Sequence, residues 1–453
     1  MIVHRLRHIS YWLDGAWLAL LAIYVMAGVP WVPFHGDEST QIYMGRDYYY
    51  QFVEGDLSKI LYDSEWRRSP TEQNLRLLNG TIPKYIFGWV SAASGHTIKD
   101  INDQWDWGRN YTENASTGRI PDDRLLMPAR LASTVQLVLA IMLYFIIARL
   151  VFNRPVAYLA SLYLTLNPAI LINGRRAMME GSHVLFMMLV IFGGILLLRH
   201  RRWWTFLLLG IAAGLALAAK HPNAFVVALV FAVCANYGVV MFNCRDWHIR
   251  RTVQFCSGLV ISGLIAFAVF YMLNPAWWGA PLERATKVLQ LRNDLLDIQI
   301  GLFGTYFSGF DKLRGFADFV FVAQPQYFEP PSWSRYGVVT AQIQIYENTL
   351  WSGLAVGGSV TGGVLVFLLL LFGIVHFARN PATESALRWL VLVWGLGIML
   401  ITLVATPLEW QRYYLPIYPF VGLMLAYGVY ILVRLVLSRI SALYENKPVE
   451  EHE

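Results

Sequence analysis

About ten apolar runs, each near the roughly 20 residues needed to cross a bilayer, organise this chain. They lie at 17–34, 129–151, 155–172, 181–198, 203–219, 222–242, 253–273, 353–377, 389–406 and 414–437. Runs of this length with so few charges predict transmembrane helices. The intervals between them are short except for two, 34–128 and 274–352. Neither reads as an independent soluble domain. In the first, 82–93 is apolar but too short to span, which predicts a helix lying in the membrane interface. In the second, 282–300 sets Leu282, Ala285, Leu289, Leu296 and Ile300 on one helical face and leaves Arg284, Lys287, Arg292 and Asp294 polar, which predicts a second interfacial helix. The expected fold is an all-α polytopic membrane protein. A single domain covers 1–442, followed by a polar tail at 443–453.

Composition agrees. Of 453 residues, 56% are hydrophobic and 15% charged, against about 25% charged in soluble domains. The mean hydropathy is +0.45. The net charge of +6 is no nucleic-acid signal, because the basic residues cluster beside the apolar runs. One set of connections carries Arg5, Arg7, Arg149, Arg154, Arg199, Arg201, Arg202, Arg245, Arg250, Arg251, Arg379, Arg388, Arg434, Arg439 and Lys447. The opposite short loops carry only Arg175, Arg176, Lys220 and Arg412. This bias places both termini in the cytoplasm and the two long loops outside a plasma (cytoplasmic) membrane. The first run lacks a small-residue cleavage site and reads as a retained span. Cys234, Cys244 and Cys256 have no metal-ligand spacing and read as reduced, structural residues. Asn110 and Asn114 open two glycosylation-type triplets that read as chance matches. The loop aromatics, Trp105, Trp107, Trp277, Trp278 and Trp333 among them, suit a headgroup belt or sugar stacking.

The candidate chemistry gathers at the outer ends of the spans. Asp37 and Glu38 follow the first span directly. A carboxylate at that boundary suits a general base, a metal ligand or a helix cap. Glu180 lies in the short turn after Arg175 and Arg176, either salt-bridged to them or part of a site, with His183 one turn on. Lys220 ends another hairpin and fits either a phosphate as a point charge or a snorkelling anchor. Arg130 and Arg412 open two further spans on the same face. Acids and bases from separate places thus converge on one surface, as a phosphate-bearing lipid with a carboxylate base beside it requires.

The ordered set of Asp37-Glu38, Pro83-Lys84-Tyr85, Ala129-Arg130-Leu131, Arg176-Ala177 with Glu180, Gly214-Leu215-Ala216 leading to Lys220, and Arg412-Tyr413-Tyr414-Leu415-Pro416 resembles the GT-C membrane glycosyltransferases. The branch it resembles holds the protein O-mannosyltransferases and the bacterial aminoarabinose transferases. The resemblance implies a sugar donor on a polyprenyl phosphate and an acceptor protein, lipid or glycan. It implies Asp37 as the base, paired with Glu38, and inversion at the anomeric carbon. It implies Lys220, Arg130, Arg176 and Arg412 at the donor phosphate. Glu180 matches a second acidic position that is usually aspartate. Asn79-Gly80-Thr81 stands where relatives commonly have His-Pro-Pro. Some relatives hold a divalent metal ion, and no ligand set for one is identified in this sequence. A transporter or lipid flippase, or an envelope polymer ligase using a lipid-linked donor, are the alternative classes.

Overall fold

The computed structural model describes residues 2–63, 69–242, 249–329 and 331–445. The expectations for Cys244, Arg245, Lys447 and the tail from 446 fall outside them. Among the described residues there are helices and no strands. In chain order the principal helices are α1 (Ile2–Ala27), α2 (Gly36–Met44), α3 (Pro70–Leu78), α4 (Thr81–Ala93) and α5 (Asp123–Val151). Then come α6 (Arg154–Leu166), α7 (Pro168–Arg175), α8 (Glu180–His200), α9 (Trp203–Ala219), α10 (Asn223–Phe242) and α11 (Ile249–Leu273). The last five are α12 (Pro281–Phe303), α13 (Gly337–Glu347), α14 (Val360–Ala378), α15 (Ser385–Ala405) and α16 (Tyr418–Glu445).

Among the described residues, eight helices are long and apolar enough to cross a membrane; α6 and α7 form one bent pair, and α9 is a shorter apolar helix. Each falls on one of the runs expected from sequence. The final helix runs on to Glu445, past the expected start of the tail. The bend of 61° between α6 and α7 has a local cause. Pro168 has no N–H to continue α6, and Asn167 before it is extended, with its side chain accepting from the Ile170 N–H at 3.1 Å. The carbonyl of Leu166 freed by the break accepts from Leu354 N–H at 2.7 Å. A side chain at Gly353 would meet that carbonyl at 2.5 Å, and its φ of +93° also favours glycine.

The spans pack as a bundle in which α8 lies against α5 and α9, α9 against α11, α10 against α15, and α16 against α6 and α14. Their shared core includes Leu137, Tyr144, Met187, Leu209, Trp394 and Phe420. A second core joins the two long loops: Phe34, Ile42, Phe87, Trp105 and Leu125 pack with Trp333 and Val339. Trp105 and Trp333 are therefore loop-core residues rather than belt residues, because two loops without a soluble domain need apolar rings to bury against each other. Trp107 packs against His35 and Trp333 and stays 44% exposed. Asn110 caps a short helix and Asn114 is fully buried, donating to three backbone carbonyls.

Helices occupy both stretches expected to be interfacial, as α4 and α12. Helix α4 buries Ile82, Lys84 and Phe87 and packs against α5 and α2. Helix α12 differs from expectation in its inward face. Arg284 is buried over the Tyr62 ring at 4.0 Å and Arg292 turns toward Tyr413, while Leu282 and Leu289 point outward, highly exposed. The guanidinium planes find aromatic faces in the protein, and the leucines are left for an apolar surround.

One glycine fixes how the first loop meets the bundle. A side chain at Gly80 would lie 1.9 Å from the carbonyl oxygen of Ala219, at the end of α9. Gly80 N–H also points at Met179 Sδ, 3.4 Å away. Gly80→Ala must push α3 and α4 off the end of α9. It is expected to cost about 1–3 kcal/mol, read as a lowered melting temperature of the detergent-solubilised protein.

Candidate active site

The site is built on the capped first turn of α2. His35 is the N-cap: its Nδ1 accepts from the Asp37 N–H at 3.1 Å, and its own N–H donates to Glu38 Oε1 at 3.0 Å. This capping box holds Asp37 and Glu38 at the positive end of the helix, where carboxylates are stabilised. Because Nδ1 accepts a hydrogen bond, a neutral His35 carries its proton on Nε2 and donates to Glu329 Oε2 at 2.7 Å. The imidazole stacks on Trp333 with centroids 5.4 Å apart.

Each of the three carboxylates expected from sequence meets one of the expected cations. Asp37 accepts from Arg412 Nη1. Glu38 takes a two-pronged contact from Arg130, at 2.7 Å from Nε and 2.8 Å from Nη2. Glu180 Oε1 accepts from Lys220 Nζ at 2.8 Å. The turn carrying Glu180 contributes to Glu38 as well, through the Ala177 N–H at 2.9 Å.

The three pairs are not equivalent. The Glu38 side chain has no exposed surface, and both its oxygens are occupied by Arg130, Ala177 and His35. Arg130 places its remaining contact on the Val32 carbonyl at 3.0 Å. Glu38 and Arg130, expected at the chemistry and at the phosphate, thus face each other as a closed pair that ties α2 to α5. Burial pushes the Glu38 carboxyl up, and the Arg130 charge with these hydrogen bonds outweighs it and holds it below the usual range. Arg176 is also taken up within the fold, donating to the carbonyls of Pro33 at 3.1 Å and Tyr327 at 2.6 Å. Arg175 donates to the carbonyls of Tyr24, Val25 and Trp351 and to the Tyr346 hydroxyl. These guanidiniums satisfy backbone carbonyls within the fold.

Asp37 is different, with 24% of its side chain exposed. Burial raises its carboxyl, but the Arg412 guanidinium and His35 hold it below the usual carboxylate range, so it is ionised at neutral pH. Arg412 also contacts Glu329 Oε1 through Nε at 3.2 Å and lies over the Trp410 ring at 4.8 Å. Burial disfavours its charge, and the carboxylates of Glu329 and Asp37 more than compensate, so Arg412 stays firmly protonated. Glu180 adds to the same field. Lys220 makes one of the three hydrogen bonds its ammonium can donate. Next to it, burial and then the Arg292 charge push His221 down to about 4, so its imidazole is neutral at physiological pH. His183 is buried one turn from Glu180.

Glu329 carries no recognisable signal in the sequence. It stands alone in the second loop, with no acidic neighbour to flag it. The one available hint was an acid beside Pro330-Pro331 in an aromatic stretch, and that pattern is common in ordinary loops. Lys84, by contrast, lies away from Asp37. It is buried with Asp47, Nζ to Oδ2 at 2.7 Å, where Arg76 also bonds Asp47 at 2.9 Å. Among the described residues no group of three or more His, Cys, Asp or Glu side chains is placed to hold a metal ion. The carboxylates nearest the candidate base are turned to cations, which does not fit a divalent metal, and no step is derived through one.

Residues 109–274 match the family model of dolichyl-phosphate-mannose-protein mannosyltransferases. A comparison with curated protein sequences finds no match. Among solved structures, ArnT from Cupriavidus metallidurans in the apo state aligns with TM-score 0.51 at 15% identity, covering 93% of this chain and 60% of that one. The same protein bound to undecaprenyl phosphate gives TM-score 0.50 at 14% identity, over 92% and 60%. The Pmt1-Pmt2 protein O-mannosyltransferase complex of S. cerevisiae, bound to the sugar donor, aligns at TM-score 0.44 and 14% identity over 58% of this chain. The chain thus spans 60% of the length of the bacterial protein and 33% of the yeast one. It has the GT-C fold of the membrane glycosyltransferases, and it resembles the protein O-mannosyltransferases and ArnT.

Proposed function

We propose that this protein is a polyprenyl-phosphate-dependent glycosyltransferase, in which a sugar passes from the lipid phosphate to an acceptor hydroxyl with Asp37 as base. The observation that carries the reading is Asp37 itself. It is an ionised, partly exposed carboxylate on a capped helix turn directly after the first span, paired with Arg412. The match at 109–274 and the fold support the lipid-linked donor.

The chemistry follows from the charges. Asp37 accepts the acceptor O–H proton. The oxygen then attacks the anomeric carbon opposite the C1–O bond to phosphate, so the configuration inverts. That bond breaks, and its electron pair leaves on the phosphate. The growing negative charge needs preorganised cations. Lys220 and Arg412 are the groups proposed for it, since the buried Arg130 is engaged at all three of its nitrogens by Glu38 and Val32, and the buried Arg176 is turned to the carbonyls of Pro33 and Tyr327. Glu38 acts as a positioning residue for α2. We place the site on the exterior face of the plasma membrane, with both termini cytoplasmic and residues 1–442 forming one domain. The acceptor is a protein, lipid or glycan hydroxyl.

The test is transfer of label from radiolabelled polyprenyl-phosphate mannose and a panel of other polyprenyl-phosphate sugars, in membranes containing the protein. Lys220→Gln is expected to raise the donor KM about tenfold or more, the worth of one charge-assisted hydrogen bond, with the acceptor KM little changed. An unchanged donor KM would remove Lys220 from the phosphate site.

A further inference from the structure

The second long loop reaches the first through a ring of polar contacts, three hydrogen bonds and one ion pair. Asp37 N–H donates to His35 Nδ1, His35 Nε2 donates to Glu329, Arg412 Nη1 donates to the Asp37 carboxylate, and the circuit is closed by an ion pair between Arg412 Nε and Glu329 Oε1 at 3.2 Å. Three distant stretches of chain, at 35–37, 329 and 412, meet in four residues. Glu329 and Arg412 arrive together because their approaches are zipped. Gln326 N–H donates to Gln411 Oε1 at 2.9 Å, and Gln411 N–H to Gln326 Oε1 at 2.7 Å. The two side-chain amides donate in turn to the carbonyls of Glu409 and Gln324, at 2.9 and 2.7 Å. Arg176 clamps the Tyr327 carbonyl in the same stretch at 2.6 Å.

Such a reciprocal amide pair fixes register, not just proximity. It delivers one carboxylate, almost fully buried, to one edge of the Arg412 guanidinium and leaves the other edge for Asp37. A guanidinium shared between two carboxylates is held less tightly by each than it would be by one alone. Its Nη edge is thereby directed at Asp37 without being fully committed to it.

We propose that Glu329 is a positioning residue of the transfer reaction: by holding the Nε edge of Arg412 and the Nε2 proton of His35, it sets the orientation of Asp37 and leaves it available as base. This rests on the transferase reading above. With the glutamine in Glu329→Gln, the side chain still accepts from His35 but no longer draws on the Arg412 charge. Arg412 then closes on Asp37 alone, and the base is tied down and displaced.

The test is Glu329→Gln, Glu329→Asp, Arg412→Gln and the double variant Glu329→Gln/Arg412→Gln, assayed in membranes with the polyprenyl-phosphate sugar that the wild-type chain uses. Glu329→Gln is expected to lower kcat on the order of a hundredfold, the loss that a displaced reacting group brings, with the donor KM nearly unchanged. Glu329→Asp should recover part of that loss. In the Arg412→Gln background, Glu329→Gln should cost almost nothing further, because the two act as one unit. Additive losses across the cycle, or a fall in kcat matched by a fall in melting temperature with no rescue by aspartate, would overturn the proposal and leave Glu329 as a loop tether. No transfer by the wild-type chain from any donor would instead overturn the transferase reading on which the proposal stands.

Discussion

Asp37→Asn is expected to abolish transfer while leaving expression and donor binding close to wild type. The substitution keeps the shape of the side chain and removes the proton acceptor. General-base catalysis is worth about 10²–10⁴ in rate, so the residual activity should fall at least that far. The structure argues that the fold will survive. Asp37 is the most exposed of the three site carboxylates, its backbone N–H is already bonded by His35, and Arg412 keeps Glu329 as counterion. Donor binding is to be measured separately, by competition with unlabelled polyprenyl phosphate. Near-normal turnover by the asparagine variant would show that another group takes the proton.

Glu38→Ala is expected to behave in the opposite way. It should destabilise the protein by about 3–5 kcal/mol, because Arg130 is left as a buried charge without its partner. The N–H groups of His35 and Ala177 lose an acceptor at the same time. A loss of that size is a large fraction of the stability of an ordinary domain. Expression and melting temperature should therefore drop together, before any question of rate arises. Replacing both partners, Glu38→Leu with Arg130→Met, should recover part of the loss, since no unpaired charge remains. A Glu38→Ala protein that melts like wild type yet transfers no sugar would return Glu38 to the chemistry, where its adjacency to Asp37 first placed it.

This contrast between neighbours marks the boundary of what a sequence shows. Asp37 and Glu38 are consecutive acids at one span end, and nothing in their order says that one faces an accessible surface and the other an arginine. On a helix, consecutive side chains point about 100° apart. Which direction is buried depends on α5 and the 176–180 turn, both more than ninety residues away. Likewise Lys220 and Arg130 read alike as basic residues at span ends. The first makes a single hydrogen bond to Glu180, and the second is engaged at all three of its nitrogens.

The spans were legible because a bilayer imposes length and apolarity on every crossing segment, and both properties are local. The bend at Asn167-Pro168 does not show in the apolar pattern: the run at 155–172 predicts a single span, although its proline is visible in the sequence. The inward turn of Arg284 and Arg292 was not legible either, since it depends on Tyr62 and Tyr413 being there to receive them. Glu329 was the furthest out of reach. Its role comes from the Gln326–Gln411 pairing and from His35, and each of those contacts crosses at least eighty residues of chain.

By itself, then, the sequence determined the helical membrane architecture, the two long loops and the set of charged groups that gather at one end of the bundle. Hydropathy and charge act residue by residue along the chain, and their pattern survives any arrangement of the helices. The tertiary structure alone decided which acid meets which base, which of them retains hydrogen-bonding capacity, and that a carboxylate from the second loop completes the ring around Asp37. A charge in a low-dielectric surround is defined by its nearest partners, and those partners are brought together only by folding.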